Sequence, residues 1–147
     1  MGVLIGQNVP TPGLAFLVGA ASHFILDLIP HGDSKLYYNY KAGEAVKRSV
    51  IYVATDAIIC IAVFVYLLEV APYASRGTII AGVIGAILPD LLVALGEAFC
   101  CRPLYWLQRA HMRIHDVIAS RLGNLSFRSG TVMQIIVFIA LMLLVRR

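Results

Sequence analysis

Four long apolar stretches alternate with polar ones along this chain. They predict membrane-spanning helices over about 13–30, 49–71, 78–99 and 131–145, because about 20 apolar residues in helical form match the ~30 Å hydrocarbon layer. The fourth is short for a span, which calls for little tilt or a locally thinned bilayer. Residues 1–12 carry Gly2, Gly6, Pro10 and Pro12 and read as an irregular lead-in. Residues 31–47 read as a polar loop. Its Tyr37, Tyr38 and Tyr40 stand beside Lys35, Lys41 and Lys47, the pattern of an interfacial belt. Residues 72–77 read as a tight turn, and residues 100–130 as a basic connection. Within that connection, 103–122 has the period of an amphipathic or re-entrant helix, with Leu104, Leu107, Ile114 and Ile118 on one side. The expected fold is an all-α integral membrane bundle of four transmembrane helices plus this fifth one, built as a single domain over 1–147.

Composition strengthens the membrane reading. The chain is 60% hydrophobic and 14% charged, against about 45–50% and about 25% in soluble domains. Its net charge of +4 reads as loop charge rather than as nucleic-acid binding. Cys60, Cys100 and Cys101 do not make a disulfide framework. The apolar segment nearest the start carries His and Asp and no basic flank, unlike a cleaved signal peptide.

Charge also orients the bundle. The first and third loops hold Lys35, Lys41, Lys47, Arg48, Arg102, Arg109, Arg113, Arg121 and Arg128; the opposite side holds Arg76, Arg146 and Arg147. The positive-inside rule puts the long loops in the cytoplasm and both termini outside. A prokaryotic inner membrane is the expected location.

Against this apolar background one run stands out, Ser22 to Asp33. His23, Asp27 and His31 are spaced i, i+4, i+8 and fall on one helical stripe, with Pro30 ending or bending the helix near His31. Asp56 lies about two turns into the second span. Asp90 follows Pro89 in the third, where small residues Gly82, Gly85 and Ala86 allow close helix approach. His111 and His115 share a face of the fifth helix. On the topology above, His23, Asp56 and Asp90 all sit roughly 10–14 Å below the cytoplasmic interface. Glu69 and Glu97, near span ends, read as solvated, and Asp116 as a surface or supporting group.

Aspartates at membrane depth cost about 2.5–3.5 kcal/mol each on insertion scales. Neither Lys nor Arg lies within the spans to offset them. A divalent cation removes that cost and the mutual repulsion together. Imidazole and carboxylate suit zinc first, with manganese, iron or magnesium as alternatives, in one or two sites. The ligand set read from the residues is His23, Asp27, His31, Asp90, His111 and His115.

The blocks Ser22-His23-xxx-Asp27, Leu88-Pro89-Asp90 and His111-xxx-His115 resemble motif blocks of the small membrane-bound metal-dependent hydrolases, distant relatives of the zinc-dependent phospholipase C and nuclease fold. The resemblance covers about thirty residues. It implies metal bound among apolar helices and a hydrolytic reaction.

The expected function is therefore a membrane-embedded metal-dependent hydrolase, acting on a phosphoester of a lipid or head group at the cytoplasmic interface. Asp56 and Asp33 are the expected catalytic carboxylates, free of the metal and able to act as base. Arg109 and Arg113 are the expected binders of an anionic substrate. Membrane lipid, a small anionic or lipid substrate and a second copy of the chain are the partners this reading admits; nucleic acid is not among them. A cation or proton transporter and a scaffold stapled by metal are the competing classes. The acids and histidines all lie in one half of the membrane, which disfavours a through-path.

Overall fold

The computed structural model describes residues 1–29, 36–70, 75–122 and 126–145, and the backbone alone at 36, 37, 115, 118, 119, 122 and 127. Every regular element among the described residues is helical: α1 (Gly2–Asn8), α2 (Pro12–Leu26), α3 (Leu36–Lys41), α4 (Val46–Val70), α5 (Arg76–Ala98), α6 (Tyr105–Leu122) and α7 (Phe127–Leu144), with a 3-10 turn over Arg102–Leu104 leading into α6.

Helix α5 is the centre of the packing. Small residues let its backbone touch two neighbours directly. A Cβ built on Gly19 of α2 would strike the Gly82 carbonyl, and one on Gly85 would strike the Phe16 carbonyl. Further along, His23 of α2 meets Ala86 and Asp90, so α2 and α5 run parallel. Gly2 and Gly6 of α1 lie against Val83 and Ile79 in the opposite sense. The expected lead-in is thus a short helix, antiparallel to α5. Its two glycines, one turn apart, make the flat face that α5 needs.

Helices α4 and α7 are peripheral. They join the core at one end, where Leu67 and Val145 pack with Val3 and Ile79. Elsewhere α4 shows apolar side chains on every side; Ile58, Ile59 and Ile61 are all more than half exposed. A helix apolar all round and uncovered by protein suits a lipid environment rather than water.

Two helices among the described residues, α4 and α5, are long and apolar enough to cross a membrane, not the expected four. The second and third expected spans are these two. The first is cut short at Leu26, four residues ahead of Pro30. The chain there tightens into i→i+3 turns, with Leu28 and Ile29 donating to the Ile25 and Leu26 carbonyls, consistent with the bias against helix just before proline. Thr11 caps its start by accepting from the Leu14 N–H, and Pro12 sits in the first turn. The fourth, α7, starts under a Ser126 cap but spends its first turn on Arg128, Ser129 and Gly130, so its apolar part is shorter still. The expected polar loop 31–47 contains α3.

Candidate metal centre

The C-terminal ends of α2 and α5 and the middle of α6 converge at one end of the bundle. His23 and His111 are buried there, at 8% and 5% exposure. Their rings lie with centroids 5.4 Å apart, and Phe24 packs edge-on to His23. Asp27 caps α2, with its N–H returning to the His23 carbonyl. One ligand atom each from His23, Asp27 and His111 falls within 4.8 Å of the others, so these three residues can hold a metal ion.

The geometry around His23 is specific. Nδ1 lies 3.0 Å from the Ala86 carbonyl oxygen, which can only accept, so Nδ1 carries the proton. In the neutral ring Nε2 then offers a lone pair. This atom is buried and closes no hydrogen bond. Facing it are Asp27 Oδ2 at 3.3 Å and Asp90 Oδ1 at 3.5 Å. The same Asp90 oxygen is 3.4 Å from His111 Nε2. A lone pair aimed at carboxylate oxygens is repulsive unless a proton or a cation lies between them.

The distances bear on those two cases. A charge-assisted N–H···O bond closes to about 2.7–2.9 Å. Ligands about 2.1 Å from a tetrahedral ion stand roughly 3.4 Å from one another. All three imidazole–carboxylate spacings fall at the second value. The Asp27 side chain is 14% exposed and that of Asp90 70%. The cluster therefore has a buried floor and one solvent-facing carboxylate.

Around it, α3 is tied to both neighbours. Tyr38 donates to both carboxylate oxygens of Asp116 on α6, at 2.7 and 2.8 Å. Lys41 pairs with Glu97 of α5 at 2.8 Å, and Gln108 of α6 bonds the same carboxylate. Glu97 is thus a half-buried tie between three helices rather than a solvated end residue, whereas Asp116, expected as a surface or supporting group, is exposed and accepts from Tyr38. Lys41, Gln108 and the Ala86 carbonyl had no signal in the sequence as partners, because each contact joins distant segments.

Of the expected ligands, the structure brings together His23, Asp27, Asp90 and His111. His31 and Asp33 lie outside the described residues, as does the His115 side chain. Asp56, expected as catalytic, is exposed on α4 and is not in the ligand group. Arg109 and Arg113 are exposed. Each is two residues from His111, about 200° round α6, so they do not share its buried face. The buried side of α6 also differs from expectation: Gln108 and His111 face inward while Ile114 is exposed. No family model, curated protein or solved structure matches the chain.

Proposed function

We propose that this chain is an integral membrane, metal-dependent hydrolase acting on a phosphoester of a lipid or its head group. The observation that carries the reading is the spacing of the imidazole and carboxylate atoms: about right for ligands around one small divalent ion, too long for charged hydrogen bonds. Two imidazole nitrogens with carboxylate oxygen favour zinc over harder ions. The reading agrees with the resemblance to the small membrane-bound metal-dependent hydrolases.

His23, Asp27 and His111 form the buried holding set, and the Ala86 carbonyl fixes the ring orientation of His23. Asp90 stands on the open side with Oδ1 against both imidazoles; that oxygen would complete the ligand set, and the other oxygen of the same carboxylate would be left to accept the proton of an attacking water. A divalent ion held by these residues would supply the acidity of a bound water and the charge to polarise a phosphoryl oxygen. The parallel course of α2 and α5 is compatible with first and third spans that run the same way; with the basic loops taken as cytoplasmic, the cluster on this reading is within reach of the head groups on that side.

The test is turnover of a phospholipid. Purified chain loaded with zinc is mixed with phosphatidylcholine vesicles containing phosphatidic acid or phosphatidylglycerol, and products are followed by mass spectrometry. Metal-dependent product is expected, abolished by chelator and reduced about 10²-fold or more in Asp90→Asn. Stoichiometric metal without turnover of either lipid would leave a structural staple and overturn the hydrolase.

A further inference from the structure

Helix α6 turns one side to the bundle and a different chemistry to the outside. Gln108 and His111 face inward, to Glu97 and Asp90 of α5. On the outward side Trp106, Ala110, Ile114 and Val117 follow one another by one turn each and form an apolar strip about 16 Å long. All four are exposed, Trp106 at 66% and Val117 at 50%. Arg109 and Arg113 edge that strip, each three residues beyond one of its members, and both are exposed. Among the described residues neither arginine pairs with a carboxylate. Arg109 Nε donates within its own helix, to the Tyr105 carbonyl. Asp116, the acid nearest Arg113 along the helix, accepts from Tyr38 with both oxygens.

The place of α6 in the fold selects what covers this side. The Cys101 N–H returns to the Gly96 carbonyl at 3.1 Å, and a Cβ on Gly96 would meet Leu104. The start of α6 is therefore held against the last turns of α5, one of the two helices long and apolar enough to cross a membrane. We propose that the outward side of α6 docks on anionic lipid of the membrane that the chain spans. The apolar strip enters the outer acyl region, Trp106 lies at the interface, and the guanidinium groups of Arg109 and Arg113 reach lipid phosphates along its edge. An acidic protein or a nucleic acid would answer the arginines and leave the strip in water. A zwitterionic lipid would cover the strip and bring no net charge. The two arginines then hold the bilayer rather than the substrate that the sequence reading gave them. The proposal rests on the membrane part of the function proposed above and on none of its chemistry.

Trp106 is the chain's one tryptophan, so its fluorescence reads this face alone. The experiment places the full chain in nanodiscs of equal parts phosphatidylcholine and phosphatidylglycerol, with bromine, a contact quencher, on the acyl chains of one lipid or of the other. The two discs then differ only in which lipid reports contact. Brominated phosphatidylglycerol is expected to quench Trp106 at least about twofold more than brominated phosphatidylcholine. In about 1 M salt, where the Debye length is about 3 Å, that ratio is expected to fall toward one. The double variant Arg109→Gln, Arg113→Gln is expected to lower it in the same way while keeping the helical circular dichroism of the parent; the salt arm decides the matter on the parent protein should that variant misfold. Equal quenching by the two lipids, or a preference unchanged by salt or by the folded double variant, would overturn this proposal alone. A chain that does not enter the discs would overturn the membrane reading and this proposal with it.

Discussion

His23 points its Nδ1–H at the carbonyl oxygen of Ala86 across 3.0 Å, and this bond from α2 to α5 sets which nitrogen faces the carboxylates. Its two ring nitrogens thus do separate jobs. Asn at this position can keep a donor near Nδ1 and has nothing where Nε2 was; Ala has neither. In chelator-treated protein, His23→Ala is expected to be less stable than His23→Asn by about 1 kcal/mol, the ordinary worth of such a bond. Chemical denaturation in detergent checks it; equal midpoints would show that the Ala86 contact does not orient the ring.

Glycine contacts bring the two helices close enough for that bond. A Cβ on Gly85 meets the Phe16 carbonyl, which is backbone and can move only with its helix, whereas nothing lies within 4 Å of a Cβ on Gly13. Gly85→Ala is expected to cost about 1–3 kcal/mol and to weaken metal binding by displacing His23 from Asp90. Gly13→Ala is expected to be neutral or to stabilise by about 0.5–1 kcal/mol. Melting temperatures with and without zinc test both.

Lys41 and Glu97 form an ion pair with side-chain exposures of 50% and 17%. Partial exposure screens it, so a double-mutant cycle with Lys41→Ala and Glu97→Gln is expected to give a coupling of at most about 1 kcal/mol. Metal content is expected to stay at the parent value in each single variant, because neither residue is in the ligand group. Loss of metal in either would place this tie inside the site.

Asp56 is exposed on α4 and absent from the group formed by His23, Asp27 and His111. Asp56→Asn is expected to keep the parent's zinc stoichiometry and affinity, measured by competition with a fluorescent zinc chelator. A loss of tenfold or more, about 1.4 kcal/mol, would return Asp56 to the site.

His23 and Asp27 were legible in the sequence because i and i+4 share a helical face whatever the tertiary fold. Asp90 was legible because an acid beside proline in an apolar run is costly without a partner. His111 needed only the histidine spacing of an amphipathic segment. The contacts that complete the arrangement were not legible. The Ala86 carbonyl is a backbone atom with no residue-type signature, and Glu97, Lys41 and Gln108 meet from three separate segments. Glycine and proline in residues 1–12 suggested irregular chain, since propensity penalises both; packing against α5 outweighs that penalty, because only a Cβ-free face reaches Ile79 and Val83. Apolar length overestimated the spans for a related reason. A hydropathy run continues through Leu28 and Ile29, but the helix has already ended at Leu26.

The central claim is that His23, Asp27 and His111 hold a divalent ion with Asp90 on its open side. Elemental analysis of zinc per chain, after purification and equilibration with a small excess of the metal, tests it most directly. About one ion per chain is expected in the parent protein, and less than a tenth of that in His23→Asn, Asp27→Asn and His111→Ala. Stoichiometric zinc retained in all three variants, or none bound by the folded parent, would contradict it.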